Sequence, residues 1–320
     1  MVGKLSAWLV LLLAFKMAAV LLVEQFYTDP RRDVNARHEL CRAYKPNVVF
    51  IGTSRTLFGI DPAIFDSLNQ QKTRSYNFGI FSLSPQTSIQ IAEDIVSKSA
   101  AVRTIYIELS ALDYGIHALE PQDVIPDAIF RMHVIADCSE IDLSDKINAF
   151  FKGLNATLLQ MLSIAPQITV AKKIFVHNPH PIQGDPELRD NGHQSVSLAL
   201  SETLDRTQSH KIATSNLFRK RPTGSPNTYF VSKIRKLITH AQQRGVKVIF
   251  FIGNNISQGE YQILSQVAPF LPEENLIRLP AQLLLTEFFE PENMFDRHHL
   301  NQKGAAIYTR FLQEESSKRP

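Results

Sequence analysis

Residues 47–55 read NVVFIGTSR, and this stretch largely decides which fold the chain is expected to adopt. The run VVFI is apolar at every position, which is typical of a strand buried on both faces of a sheet. Gly-Thr-Ser follows at once, and a helical pattern lies near residues 61–70. The stretch therefore predicts a buried strand that leads through a short turn into a helix.

Further strand-like runs follow in the same manner, and helix-like stretches separate them. The runs are SYNF (75–78), TIYIEL (104–109), KVIFFI (247–252) and NLIRLP (275–280). Apolar strands that alternate with helices are typical of a parallel sheet covered on both faces. We therefore predict an α/β domain over residues 46–320, with a doubly wound, flavodoxin-like, five-stranded parallel sheet.

Residues 114–225 interrupt this alternation. Their best helical pattern covers 144–163, and loops that contain Pro and His, such as HNPHP at 177–181, follow it. A segment of this length is too long for a loop inside a compact domain, so it needs secondary structure of its own. We therefore predict a large helical cap inserted into the sheet domain.

The N-terminus is strongly apolar. Residues 5–23 read LSAWLVLLLAFKMAAVLLV and are broken only by Lys16, close to the ~20 residues that cross a bilayer as a helix. We expect an N-terminal transmembrane helix within residues 1–26 that anchors the chain, followed by an irregular connector at 27–45. A cleaved secretory signal is the alternative, although residues 17–26 offer no small-x-small cleavage site.

Charge and composition exclude other classes of function. The 34 Lys and Arg residues nearly balance 31 Asp and Glu residues, for a net charge of +3. A nucleic-acid-binding domain concentrates positive charge on one face, so no nucleic-acid partner is predicted. Cys41 and Cys138 fit no zinc or redox spacing, and they are interpreted as buried thiols or as one bridge. His177 and His180 lack further ligands nearby, so no metal or other cofactor is predicted.

Ser54 is the candidate nucleophile. Ligands of open parallel sheets bind at the carboxyl ends of the strands, and Ser54 comes just after the first predicted strand. Backbone N–H groups at the start of the next helix favour a developing negative charge there. A helix N-cap is the alternative role for this serine. Arg55 could bind a carboxylate or phosphate of a substrate, or form an ion pair on the first turn.

Asp296 and His299 are the candidate partners of Ser54. They lie three residues apart just before the last predicted helix. At this spacing the carboxylate can fix the imidazole tautomer while the other ring nitrogen points into the cleft. His298 is interpreted as a surface neighbour. A base with its orienting group would thus lie near a serine at another strand end.

Together these motifs resemble those of the SGNH (GDSL-like) hydrolases. The matching blocks are GTS at 52–54, NFG at 77–79 and DRHHLNQKG at 296–304. The pattern is similar to the membrane-anchored branch that includes alginate-type acetylation proteins of the bacterial envelope. The resemblance implies an acyl-enzyme on Ser54, with His299 as the base and Asp296 as its orienting carboxylate.

Two positions depart from the family's pattern. Thr53 replaces the usual Asp before the serine, and Leu112 stands where the third block has an Asn that donates to the oxyanion. Loss of one such donor typically costs ~2.7 to 4 kcal/mol of transition-state stabilisation. The remaining candidate oxyanion donors are the backbone N–H groups of Ser54 and Gly79, with the side chain of Asn77, Asn254 or Asn255.

The resemblance implies a serine-dependent esterase or O-acyltransferase that acts on acyl esters of a cell-envelope polysaccharide. The expected partners are an acyl-ester or glycan substrate, a membrane-bound acyltransferase, and a lipid bilayer contacted through residues 5–23. The alternative is a catalytically silent domain that binds glycan or scaffolds a membrane acyltransferase, which Leu112 and the long insertion favour. A nucleotide or phosphate site would lack its Gly-rich fingerprint.

The expected location follows from the anchor and the resemblance together. The basic residues Arg31, Arg32 and Arg37 after the apolar run would place the domain in the cytoplasm. A short N-terminal tail before a signal-like helix usually leaves the rest of the chain outside the cytoplasm. Since a glycan substrate lies outside the cell membrane, we expect anchoring in the inner membrane with the soluble domain periplasmic or extracellular.

Overall fold

The computed structural model describes residues 2–26, 29–110, 188–199, 204–217 and 226–319, together with residues 144, 147 and 151. The chain divides into two compact units, one formed by 1–36 and 115–181 and the other by 37–114 and 182–320. The second unit carries the sheet. The part of the expected insertion that follows residue 181 therefore belongs to the sheet unit.

Helix α1 (Val2–Phe26) begins the chain, and Leu5, Trp8 and Phe15 on it are exposed. No helix among the described residues has both the length and the apolar character needed to span a bilayer. The expected transmembrane helix thus finds no support in the structure. The connector at 27–45 is not irregular throughout, because helix α2 (Val34–Tyr44) occupies its second half.

The sheet has five parallel strands, as predicted, in the order β2-β1-β3-β4-β5. The strands are β1 (Val48–Gly52), β2 (Ser75–Gly79), β3 (Thr104–Leu109), β4 (Lys247–Ile252) and β5 (Leu276–Ile277). This is the order of doubly wound, flavodoxin-like sheets. The chain reverses its direction across the sheet between β1 and β3, so the crevice in which such sheets bind ligands opens at the carboxyl ends of these two strands.

Helices separate and follow the strands. They are α3 (Ser54–Gly59), α4 (Pro62–Leu68), α5 (Pro85–Lys98), α6 (Leu204–Leu217), α7 (Thr228–Gln243), α8 (Gln258–Leu264), α9 (Gln282–Phe288) and α10 (Gln302–Ser317). Helices α5 and α7 pack together, whereas α3, α4 and α10 form a separate group. The crossover from β1 to β2 runs in one direction across the sheet, and those from β2 to β3 and from β3 to β4 run in the other. Since crossovers are right-handed, α3 and α4 lie on the opposite face from α5 and α7.

The interior of the sheet is aromatic as well as β-branched. Phe50 of β1 stacks on Tyr106 of β3 with ring centroids 4.7 Å apart, and Phe65 of α4 meets both rings edge-on. Cys41 of α2 is a free, buried thiol, and burial raises its pKa to about 12. Cys138 and most of the predicted helix at 144–163 lie outside the described residues.

The segment 188–199 has no regular secondary structure, and it fastens the edge of the sheet to the helices beside it. Its bonds run from Asn77 N–H to the Asn191 carbonyl (2.8 Å), from Gln194 N–H to the Leu57 carbonyl (3.3 Å) and from Gln302 N–H to the Val196 carbonyl (2.8 Å). The segment thereby links β2, α3 and the first turn of α10.

His193 in this segment makes the stability of the fold sensitive to acid. The side chain is fully buried and its Nδ1 lies 3.1 Å from the Leu57 carbonyl. Burial lowers the pKa of His193 to about 4, against the opposing effect of Asp61 and with the help of Arg189. Between about pH 6.5 and about pH 4 the unfolded chain therefore binds a proton that the folded chain does not, and stability falls as the pH falls.

We expect His193→Asn to weaken this dependence, because the asparagine does not titrate and its amide can still donate to Leu57. The wild-type protein should lose up to about 3 kcal/mol more stability than the variant across the window, at about 1.4 kcal/mol for each pKa unit. Thermal unfolding at about pH 7 and about pH 4.5 measures the difference. Equal losses in both proteins would contradict the assignment.

Candidate active site

Ser54 opens helix α3 directly beyond the carboxyl end of β1. The N-cap of this helix is Thr53, whose hydroxyl accepts the Arg55 N–H at 3.2 Å. The capping role considered for Ser54 therefore belongs to its neighbour. The Ser54 hydroxyl is left to bond elsewhere, and the side chain stays partly exposed at the crevice.

Asp296 and His299 lie in a closed loop before α10. An antiparallel bridge between Met294 and Leu300 closes this loop, and Asn301 fastens it to the helix. The Asn301 amide donates to the carbonyls of Glu292 (2.7 Å) and Met294 (3.2 Å), while its oxygen accepts the first N–H groups of α10. Asn301 thus caps the helix and fixes the loop at once.

The structure brings Ser54, His299 and Asp296 into one hydrogen-bonded chain. Ser54 Oγ lies 2.8 Å from His299 Nε2, and His299 Nδ1 lies 2.8 Å from Asp296 Oδ2. An ionised carboxylate only accepts, so His299 Nδ1 carries the hydrogen and Nε2 is free to accept the Ser54 hydroxyl proton. This is the arrangement of a nucleophile, a base and the carboxylate that orients the base.

Asp296 is held in its charged form. Burial raises the pKa of its carboxyl group, but hydrogen bonds and charge from His299 and the backbone N–H groups of His298 and His299 outweigh burial, so the pKa is lowered overall. Both N–H groups reach Oδ1, at 2.8 and 2.9 Å. The carboxylate is thereby fixed in place, and the exposed ring of His298 takes no part in the chain of bonds.

Two aromatic rings hold the imidazole of His299. Phe295 stacks on it with ring centroids 5.6 Å apart and planes 12° apart, and Phe58 of α3 meets it edge-on at 5.2 Å. Phe58 is itself buried, whereas Phe295 is partly exposed. The ring therefore keeps its orientation through packing as well as through Asp296.

Arg55 forms an ion pair with Glu260 at the start of α3. Its Nη2 lies 2.8 Å from Glu260 Oε1 of α8, and the arginine side chain is only 12% exposed. Burial raises the pKa of Glu260, but the charge of Arg55 and the hydrogen bond from the Ser257 N–H, at 2.5 Å, have the larger combined effect. The pKa of Glu260 is therefore lowered overall, and the group is charged. The structure thus favours the second of the two roles expected for Arg55.

Two of the expected oxyanion donors are engaged elsewhere. The Gly79 N–H donates to Asn77 Oδ1 at 2.8 Å, and the Asn77 amide donates to the carbonyls of Thr56 and Ile60, both at 2.7 Å. A Cβ at Gly79 would lie 2.3 Å from Leu57 N. Neither residue therefore has a free donor for an oxyanion in this structure, and both residues pack α3 tightly against β2.

Other donors near Ser54 are not engaged. Among the described residues, the Ser54 N–H has no hydrogen-bond partner, and neither polar atom of the buried Asn255 side chain has one. The Asn255 carbonyl lies 3.4 Å from Arg55 Nη2, which places this residue beside the start of α3. Asn255 has φ 51°, a left-handed conformation that asparagine tolerates. Asn254 donates to the Arg55 carbonyl at 3.4 Å.

Glu108 of β3 is a buried residue at the site that the sequence interpretation missed. It is 2% exposed and accepts hydrogen bonds from Thr53 and Thr56, on either side of Ser54. The available signal is the single charge inside the apolar run TIYIEL. Leu112, His177 and His180 lie outside the described residues.

The site formed by Ser54, His299 and Asp296 is described from this chain alone. The SGNH resemblance rests on the sequence blocks at 52–54, 77–79 and 296–304, and the arrangement of the site rests on the measured contacts. Comparisons with protein-family models, with curated proteins and with solved structures found no match for this chain.

Proposed function

We propose that the protein is a serine-dependent esterase or O-acyltransferase of the SGNH type. The observation that supports this proposal most is the continuous chain of hydrogen bonds from Ser54 through His299 to Asp296. A serine whose hydroxyl meets a neutral, oriented imidazole can lose its proton as it attacks a carbonyl carbon. A structural serine needs no such partner.

The reaction follows from these positions. Ser54 Oγ attacks the acyl carbonyl carbon while its proton passes to His299 Nε2, and a tetrahedral oxyanion forms. The bond to the leaving alcohol then breaks as His299 returns the proton to the departing oxygen, which leaves the acyl group on Ser54. Water or a sugar hydroxyl repeats the sequence in reverse and releases the acyl group as an acid or a new ester.

The oxyanion would be stabilised by donors that make no hydrogen bond to the described residues. The unpartnered Ser54 N–H belongs to the nucleophile itself, and the unpartnered amide of Asn255 lies beside Arg55. Such groups stabilise developing charge strongly because they are already oriented before the reaction. We assign the oxyanion role to these two donors in place of Gly79 and Asn77.

The substrate and the cellular location of the protein are also proposals. We propose an acyl ester of a cell-envelope polysaccharide as substrate and attachment of the chain to the inner membrane through α1, with the sheet unit periplasmic or extracellular. The exposed apolar side chains Leu5, Trp8 and Phe15 support attachment, since a lipid surface would remove them from water. Recovery of the chain in the membrane fraction after an alkaline wash would agree with it.

The direct test is turnover of a simple ester. Full-length Ser54→Ala should hydrolyse 4-nitrophenyl acetate slower than wild type by at least about 10³-fold, because the acyl-enzyme cannot form. The control is Ser97→Ala, which changes an exposed serine of α5. Turnover that Ser54→Ala leaves unchanged would exclude the proposed reaction.

The engaged donors at Gly79 and Asn77 favour one second candidate, a silent domain that binds glycan or scaffolds a membrane acyltransferase. An active site that lost these donors could retain its binding surface. Glycan affinity or co-purification of an acyltransferase that survives in the folded double variant Ser54→Ala/His299→Ala, together with absence of turnover in wild type, would support this second function.

A further inference from the structure

Glu108 places a buried carboxylate directly behind the turn that carries Ser54. It lies on β3 next to β1, at the point where the chain reverses direction across the sheet. The side chain is 2% exposed. Among the described residues no Lys, Arg or His lies within ion-pair distance of it. Its oxygens therefore accept hydrogen bonds from uncharged groups only.

Three donor groups meet this carboxylate, and all of them flank Ser54. The Thr53 N–H lies 2.8 Å from Oε2, the Thr53 hydroxyl 2.9 Å from Oε1, and the Thr56 hydroxyl 2.6 Å from Oε2. The Thr53 oxygen also accepts the Arg55 N–H, so the carboxylate fixes the hydroxyl that caps α3. Glu108 thereby fixes the Gly52–Thr53 peptide before the turn and the first turn of α3 that contains Ser54.

The backbone around Glu108 has room for this side chain because β1 ends in Gly52 and Gly253 directly follows β4. A Cβ at Gly52 would lie 2.4 Å from Glu108 Oε2, and a Cβ at Gly253 would lie 2.9 Å from Oε1. Any larger residue at Gly52 would have to displace the carboxylate. Gly52 and Gly253 therefore leave the space that the Glu108 carboxylate occupies between them.

We propose that Glu108 is a positioning residue, which holds Thr53 and Thr56 so that Ser54 Oγ meets His299 and the Ser54 N–H stays open toward the crevice. This inference rests on the proposed function. Glu108 does not contact the reacting atoms. It acts through the two threonines, and a displacement of about 1 Å at a nucleophile can cost about 10²-fold in rate.

A second buried carboxylate offers a matched control. Asp66 of α4 is 7% exposed and accepts the Ser75 N–H, the Ser75 hydroxyl and the Thr73 hydroxyl. It has the same kinds of donors as Glu108, but it lies at the amino end of β2, away from Ser54. Asp66→Ala should lower thermal stability without changing the reactivity of Ser54 in the folded protein.

The test measures the rate at which a fluorophosphonate modifies Ser54 in full-length, folded protein. Glu108→Ala should lower this rate by about 10- to 100-fold, whereas Asp66→Ala leaves it near wild type. Glu108→Gln should recover much of the rate, because its oxygen can accept from Thr53 N–H and Thr56 while its amide donates to the Thr53 hydroxyl. A wild-type rate in Glu108→Ala, or equal losses in Glu108→Ala and Asp66→Ala, would overturn the proposal.

Hydrogen–deuterium exchange separates this inference from the proposed function. Amides in residues 53–57 should exchange faster in Glu108→Ala than in wild type, and Asp66→Ala should leave them unchanged. If wild type is not modified at Ser54, the proposed reaction fails and exchange alone decides whether Glu108 holds the turn. Unchanged exchange at 53–57 in Glu108→Ala would overturn the positioning role regardless of any chemistry.

Discussion

Replacing His299 by alanine should lower the rate at which a fluorophosphonate modifies Ser54 by about 10³-fold, within the range that a positioned base contributes. Nε2 of His299 lies 2.8 Å from Ser54 Oγ and is the acceptor for its proton. Without the imidazole the hydroxyl keeps its proton and attacks phosphorus or carbonyl carbon slowly. The rate of adduct formation, followed by mass spectrometry of the intact chain, measures the loss.

The control for this change is the neighbouring histidine. His298→Ala removes an exposed ring whose centroid lies 6.4 Å from that of His299 and leaves the backbone N–H that donates to Asp296 in place. This variant should react near the wild-type rate. Equal losses in His298→Ala and His299→Ala would contradict the assignment of His299 as the base.

Asp296→Asn should also lower the rate of Ser54 modification by about 10³-fold, because it imposes the wrong tautomer on His299. The asparagine oxygen can still accept the hydrogen bonds that the backbone N–H groups of His298 and His299 donate to Oδ1. Its NH₂ group then faces His299 Nδ1 in place of Oδ2. Although Nδ1 also lies 2.9 Å from Oδ1, it cannot keep its hydrogen 2.8 Å from an N–H donor, so Nδ1 accepts, and Nε2 carries the hydrogen and cannot take the proton of Ser54.

Asp94→Asn is the matched change of carboxylate to amide. Asp94 pairs with Lys98 on α5 and makes no contact with the site. Asp94→Asn should react at the wild-type rate, and the thermal stability of Asp296→Asn should remain close to that of wild type because its backbone hydrogen bonds persist. Unchanged reactivity in folded Asp296→Asn would show that this carboxylate does not orient the base.

The parallel sheet could be predicted from the sequence because its strands are short runs rich in β-branched and aromatic residues, separated by helical patterns. VVFI, SYNF, TIYIEL and KVIFFI each coincide with a strand. The run NLIRLP was interpreted too broadly, since β5 covers only Leu276–Ile277 before Arg278 and Pro280. A helix start at Ser54 and a helical pattern near 61–70 were both expected, but the sequence does not show that they belong to two helices, α3 and α4, because six residues do not establish a period.

The meeting of Ser54 with Asp296 and His299 could be predicted from strand ends and from a spacing of three residues. Both arguments use local sequence and a known property of parallel sheets. The engagement of the Asn77 amide depends on long-range contacts, because its partners lie on α3 and at Ile60 just after it, and the segment 188–199 packs over the same edge. No local pattern specifies those partners.

The partners of Glu108 also could not be predicted from local sequence. A lone charge in the strand TIYIEL marks the position as unusual, but its hydrogen bonds to Thr53 and Thr56 depend on how β3 lies beside β1. A charge in a buried strand indicates a polar partner, since an uncompensated one is costly. Only the register of the sheet shows that this partner is the turn of the nucleophile.

The central claim is that Ser54 is an activated nucleophile, and covalent modification tests it most directly. The full-length protein is treated with a fluorophosphonate, digested and examined by mass spectrometry. We predict one adduct, on the peptide that contains Ser54, which disappears in Ser54→Ala and forms far more slowly in His299→Ala. A folded wild-type protein that forms no adduct, or an adduct on another serine that persists in Ser54→Ala, would contradict the account.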